Sequence, residues 1–278
     1  LGDAVRRDVE LGPLTTYRVG GAASLFVRVT DRRQLAVVGE AVRASRLPVL
    51  VVGRGSNLLI ADAGFPGLAI GLADLDATID IDADAASVQA SASVALPVLA
   101  RKTAAAALTG FEWSDMAATL VSVTVFDVSA GVERTAPVDS LDLGFRSSGL
   151  SPDEIVLDAT LQLEHGDADR SAQLISEIVS WRRAHQPGGQ NAGSVFVNPV
   201  PGEVSAGALI DAAGLRGHRV GTAVVSEKHA NFIQADDGGR ADDVLALMML
   251  VRERVEATSG FRLRSEIRRV GFGEGDGF

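Results

Sequence analysis

The first group with chemistry to offer is a serine set between a glycine and a short apolar run, Gly193-Ser194-Val195-Phe196-Val197-Asn198-Pro199. Its hydroxyl can act as a general acid only if nearby cations or donors compensate the charge left behind. No Gly-x-Ser-x-Gly elbow surrounds it, which argues against a serine hydrolase, and spacing alone favours the start of a strand. A second candidate is Gly53-Arg54-Gly55-Ser56-Asn57, after a buried apolar run. Glycines that tolerate positive φ let a backbone approach a pyrophosphate. Leu58 stands where a Rossmann fingerprint needs its third glycine, so a tight turn and a ligand loop are equally served. The polar cluster Ser226-Glu227-Lys228-His229-Ala230-Asn231 reads as a solvated turn or as a binding segment. Glu266, in the alternating run Arg262 to Arg269, reads as a gatekeeping charge on an edge strand. His165, His185, His218 and His229 show no i, i+4 pairing, so no metal site is expected.

These groups need elements to hold them. Ser24 to Val29 alternates as a half-buried strand should, and Asp31 to Ser45 follows at helical spacing with Asp31 as N-cap. Val49 to Val52 is a continuous apolar strand, completing a βαβ-like unit. From about Leu72 the texture changes to short alternating strands at Ala77–Ile81, Ala86–Ala92, Val121–Val128 and Ile155–Leu163, interrupted by one helix over Pro97–Leu108. A third region holds helices over Ala172–Ala184, Ala206–Ala213 and Ala241–Ala257 and a last strand over Arg262–Val270. The boundaries fall at residues 1–71, 72–168 and 169–278, an α+β organisation.

Composition limits the functions available. With 26 basic and 36 acidic residues the net charge is -10, which argues against a nucleic-acid or anionic-membrane partner. Only two lysines occur, Lys102 and Lys228, so an anionic ligand must meet guanidinium groups. Cysteine is absent, which removes disulfides, thiolate ligands and a cysteine nucleophile. No apolar run approaches the length of a membrane span, and the first residues carry no apolar signal core. A cytoplasmic protein is expected.

Taken in order, these segments resemble the UDP-N-acetylenolpyruvoylglucosamine reductases over nearly the whole chain. The similarity is carried by Leu14-Thr15-Thr16-Tyr17 with Val19-Gly20-Gly21, by Pro48 to Ile70, by Gly144-Phe145-Arg146-Ser147-Ser148, by Gln186-Pro187 with the Ser194 segment, and by the segments around His229 and Glu266. The resemblance implies a two-part flavin domain like that of the vanillyl-alcohol-oxidase and p-cresol-methylhydroxylase flavoproteins, with an α+β substrate domain after it. It implies FAD reduced by NADPH, then hydride transfer to UDP-N-acetylglucosamine enolpyruvate as small-molecule substrate, in a monomer serving peptidoglycan synthesis, cell wall biogenesis, cell shape, the cell cycle and cell division. By the same resemblance Ser194 would protonate the enolate carbon while Arg146 and Glu266 polarise the substrate carboxylate, Glu266 acting protonated or through the substrate's own proton. Asn198, Ser226, His229 and Asn231 would lie on the substrate side, and Gly53, Arg54, Gly55, Ser56 and Asn57 would line the FAD pyrophosphate.

The chain also departs from the family pattern. Phe145 stands where tyrosine is usual and Val197 where lysine is common, and no tyrosine segment lies between Leu163 and Gln186, as in the shorter family type. Between Trp113 and Ser114 the family carries roughly twenty further residues, including glycine-rich backbone that wraps the flavin phosphates. Here the two residues adjoin, and both flanks look family-like, so the segment reads as excised. That leaves two other readings beside the reductase: a flavin-free UDP-sugar-binding pseudoenzyme, and another FAD oxidoreductase of the same superfamily.

Overall fold

A computed structural model describes residues 4–110 and 116–273. The junction of Trp113 and Ser114 lies outside the described residues. In chain order the first elements are β1 (Val5–Glu10), β2 (Ala22–Arg28), α1 (Arg32–Ser45), β3 (Val49–Val52), β4 (Leu58–Ile60) and β5 (Phe65–Gly71). Then come β6 (Ile79–Asp82), β7 (Ser87–Ser91), α2 (Leu96–Ala105), β8 (Leu108–Thr109), β9 (Leu120–Asp127), β10 (Val132–Pro137), β11 (Glu154–Gln162), β12 (Glu164–His165) and α3 (Ala168–His185). The last are α4 (Ala206–Ala212), β13 (Arg219–Val220), β14 (Ala223–Val225), β15 (Ile233–Ala235), α5 (Ala241–Ser259) and β16 (Arg268–Val270). Contacts divide the chain into two compact units. One comprises Leu1–Ala4, Arg28–Val51 and Ile70–Arg182; the other comprises Val5–Val27, Val52–Ala69 and Arg183–Phe278.

The first unit is organised by an antiparallel sheet of order β10-β9-β11-β7-β6. Val88, Val123, Val125 and Leu161 point into one core with Leu99 of α2 and Leu108, the period-2 pattern that a sheet with one covered face requires. The side chain of Asp31 accepts from Gln34 N at 2.8 Å and so caps α1, as its sequence position predicts. Leu35, Val38 and Val42 form the buried face of α1. At Gly39 a Cβ would come within 3.0 Å of the Phe126 ring, so glycine allows close packing there. Arg32, in the first turn of α1, pairs with Glu133 at 2.9 Å and with the buried Asp158 beside a bulge in β11. An isolated buried carboxylate would cost several kcal/mol; the guanidinium provides its partner. Helix α2 stops at Ala105, three residues short of the expected end, because the chain turns through a left-handed Ala107.

The second unit packs around α5, whose Val244, Leu247, Met248, Val251 and Val255 recur at helical spacing and are buried with Phe196, Ile210, Val225 and Ile233. The start of this helix is capped from far along the chain. Asp62 accepts from Ala241 N at 2.9 Å and Asp242 N at 3.3 Å, and Arg240 lies 3.3 Å from the same carboxylate. Its end is a left-handed Gly260 whose N–H reaches Glu256 O. Strands β13, β14 and β15 form one antiparallel sheet, and β4 pairs with β16 in parallel. The expected strand over Arg262–Val270 is thereby corrected: only Arg268–Val270 is strand. Residues 262–267 are held instead by a single bridge between Ser265 and Phe196, which leaves their alternation without a ladder. No helix among the described residues is long and apolar enough to cross a membrane.

Candidate active site

The Gly53–Asn57 loop is shaped by what its glycines leave out. Gly55 has φ +63°, and a Cβ there would sit 2.1 Å from Leu14 O, so any other residue would push the loop off its support. Thr16 N donates to Gly55 O at 3.1 Å across the same contact. At Gly53 nothing lies within 4 Å of where a Cβ would be. The amides of Arg54, Gly55, Ser56 and Asn57 donate to no group among the described residues. Unused N–H groups beside an open glycine suit an anion such as a pyrophosphate. The chain then enters strand β4, where a Rossmann loop would enter a helix. Asn57 ties the loop onward: its Nδ2 donates to Glu266 O at 3.0 Å and its carbonyl accepts from Arg268 N at 3.0 Å.

Glu266 in turn meets the Ser194 segment. Its N–H donates to Val195 O at 2.8 Å, and Val197 N donates to Arg264 O at 3.0 Å, so the two stretches run antiparallel. Asn231 clamps the other side. Its Oδ1 accepts from Phe196 N at 3.0 Å, its Nδ2 donates to Phe196 O at 2.8 Å, and its carbonyl accepts from Val195 N at 2.9 Å. The side chain is buried, and its amide supplies one donor and one acceptor to a single residue's backbone. On this fixed backbone the half-buried Ser194 hydroxyl bonds to no described residue.

The Ser226–Asn231 segment is folded on itself. The buried Ser226 hydroxyl accepts from Lys228 N at 3.1 Å and His229 N at 3.4 Å, while Ser226 N donates to Phe232 O at 2.8 Å. His229 Nδ1 accepts from Asn231 N at 3.2 Å, and its ring stands edge-on to Phe232 with centroids 4.8 Å apart. Burial, then the charge of Arg216, hold the imidazole below its ordinary pKa, with a smaller push from His185. Neutral, with Nδ1 accepting, it carries its proton on Nε2. Asn198 Oδ1 accepts from Ala206 N at 3.0 Å, next to the Ser205 hydroxyl that caps α4, which leaves the Asn198 amide N–H groups unspent.

Thus Gly53–Asn57, Ser194, Asn198, Ser226, His229, Asn231 and Glu266 all fall in the second unit, most of them joined by one chain of hydrogen bonds. Arg146 belongs to the first. It sits exposed, in left-handed conformation at φ 57°, in a tight turn closed by mutual bonds between Gly144 and Ser147 of 3.0 and 3.1 Å. Two groups escaped sequence reasoning. Tyr17 is fully buried with its hydroxyl unpartnered, and burial pushes its pKa well up; the buried apolar core around it left no polar signal to read. Arg216 forks onto Asp211 and reaches Glu227 O, from a spacing that matches neither helix nor strand periodicity.

Comparison with known proteins places this geometry. The model of the UDP-N-acetylenolpyruvoylglucosamine reductase C-terminal domain matches residues 185–270, and that of an FAD binding domain matches residues 23–136, spanning the Trp113–Ser114 junction. The UDP-N-acetylenolpyruvoylglucosamine reductase of Synechococcus sp. strain RCC307 is 36% identical over 96% of this chain and 94% of its own. That of Gloeobacter violaceus is 37% identical, covering 98% of each. The crystal structure of the Thermus caldophilus enzyme aligns with a TM-score of 0.78 at 31% identity, over 96% of this chain and 99% of that one. The Synechococcus alignment runs to 290 positions against the 278 residues present here. It therefore includes residues of the relative with no counterpart in this chain.

Proposed function

Since this chain belongs to the UDP-N-acetylenolpyruvoylglucosamine reductase family, we propose that NADPH supplies its reducing equivalents and that the residues described above divide one reaction between them. The protein is an FAD-dependent oxidoreductase that converts UDP-N-acetylglucosamine enolpyruvate to UDP-N-acetylmuramate. Bound FAD supplies the hydride relay between nicotinamide and the enolpyruvyl double bond. The chain's own residues bind, orient and move protons. The amides of residues 54–57, which no described residue engages, with Gly53 open beside them, would hold the flavin pyrophosphate.

Ser194 delivers a proton from Oγ to the enolate carbon, and Arg146 and Glu266 take the substrate carboxylate, whose charge grows as the enolate forms. Glu266 serves that role as a protonated donor, because a second anion there would oppose the first. Among the four substrate-side residues, His229 offers Nε2–H and Asn198 its unspent amide N–H groups. Ser226 and Asn231 keep the backbone in place. The three regions 1–71, 72–168 and 169–278 serve as the two flavin parts and the substrate part, in a monomeric cytoplasmic enzyme of peptidoglycan synthesis, with the consequences for cell shape and division that cell wall supply entails.

The observation that carries this reading is the unpartnered Ser194 hydroxyl on backbone locked from both sides and bonded to Glu266. Stopped-flow measurement on purified holoenzyme tests it. Ser194→Ala is expected to keep flavin bleaching by NADPH and to lose flavin recovery on adding the enolpyruvyl substrate. Equal loss of both steps would overturn the assignment. A preparation that neither carries flavin absorbance nor takes up added FAD would favour the UDP-sugar-binding pseudoenzyme.

A further inference from the structure

We propose that Arg216 is a positioning residue for substrate reduction, clamping the Ser226–Asn231 segment to helix α4 through the carbonyl of Glu227. Its Nε and Nη2 donate to the two Asp211 oxygens at 2.7 and 3.0 Å, and its Nη1 donates to Glu227 O at 2.7 Å. Asp211 lies in the last turn of α4, so one guanidinium joins the helix to the loop. The planar fork fixes its own orientation through Asp211 and leaves the remaining edge aimed at the carbonyl. Next to Arg216, Gly217 takes the left-handed φ of +68° that favours glycine, and its N–H donates to Val225 O at 2.9 Å just before the segment begins.

The rest of the segment explains why this tie matters. Ser226 Oγ, His229 Nδ1 and Phe232 N spend their hydrogen bonds inside it, and Asn231 spends its side chain on Phe196. Within the segment the Glu227–Lys228 peptide is held only at its N–H, which bonds Ser226 Oγ at 3.1 Å; its carbonyl is held from outside, by Arg216. Besides Arg216, the exposed Lys228 Nζ bonds Arg183 O at 2.6 Å, a contact that does not reach α4. Losing the Arg216 clamp releases the Glu227 carbonyl and unties the segment from α4, while Ser194 and the flavin loop keep their own bonds. The expected signature is therefore weakened substrate use with intact flavin chemistry, which a general loss of stability would not produce. The same guanidinium raises the cost of protonating His229.

The inference rests on reading Ser226–Asn231 as the substrate segment, and the experiment separates the two. On holoenzyme, Arg216→Ala is expected to raise KM for UDP-N-acetylglucosamine enolpyruvate about tenfold, with flavin reduction by NADPH within about twofold of the parent and kcat less affected than KM. Arg216→Lys is expected to recover only part of the loss, since a single ammonium cannot span both partners. Should the alanine variant fail to bind flavin, Asp211→Asn decides the question with an expected rise in KM of about threefold. An unchanged KM in the soluble variant, or equal losses in both half-reactions, overturns the proposal. His229→Gln reports on the segment itself: if it weakens substrate use and Arg216→Ala does not, only the clamp is wrong. If neither does, the substrate reading of the segment falls as well.

Discussion

The turn that carries Arg146 and the segment that carries Ser194, one in each unit, are held by opposite means. Gly144 and Ser147 close the first by bonding each other, with Arg146 left-handed and Phe145 51% exposed at its tip. The second contributes almost nothing to its own shape. Its backbone is fixed by Asn231, Arg264 and Glu266, through bonds that span at least 35 positions in sequence. A self-closed turn tolerates change in its surroundings and presents an exposed cation at its tip. An externally clamped segment presents a hydroxyl with little freedom, at the cost of depending on every clamp. Binding a carboxylate suits the first design, and delivering a proton to one carbon suits the second.

Substitutions can set the two designs against each other. The largest effect expected is from Ser194→Ala, with substrate-dependent flavin reoxidation falling about 10²- to 10⁴-fold and thermal stability unchanged. Arg146→Ala follows with a loss of about 10²-fold in the same step, again without loss of stability, because left-handed arginine costs roughly 1–2 kcal/mol and alanine inherits that cost. A melting temperature that fell with Arg146→Ala would break the contrast. Asn231→Ala should act on both axes. It removes both side-chain bonds to the buried Phe196 backbone, costing about 1–3 kcal/mol in urea denaturation, and it slows reoxidation through the displaced Ser194. The smallest effect is a pH dependence. The folded pKa of His229 lies below its unfolded value of 6.5, so its contribution is complete above that pH and is lost as pH falls through 6.5 toward the folded value. His229→Gln should flatten that part of the stability profile; an unchanged slope would show that the imidazole is not held neutral.

The local elements were largely legible because their determinants are local. Asp31 caps the helix it was expected to cap, and α4 and α5 begin where expected. The run from Arg262 misled because alternation reports a pleated surface and not a partner: its bonds go to residues 195–197, so no ladder forms. Ser194 and Glu266, 72 positions apart, were suspect only through the order of several modest motifs. Spacing does not say that one stretch will lie antiparallel to the other. Asn231 was named for the substrate, whereas its amide is spent on the backbone that holds Ser194. Arg216 gave no signal, since a guanidinium fork five residues from its carboxylate has no repeating pattern to betray it.

The cap that Asp62 places on α5 spans nearly two-thirds of the chain, and it bears on the order in which the protein is made. The second unit takes Val5–Val27 and Val52–Ala69 from the beginning and everything from Arg183 onward from the end. During synthesis its early strands leave the ribosome long before the helix they must pack against. The middle of the chain, with its antiparallel sheet, can complete itself first. Val19 and Leu59, apolar and destined for the late core, must wait exposed or in provisional contacts until α5 emerges. This is a vulnerability to premature association in the unit that carries Ser194, set by gene order and not by stability.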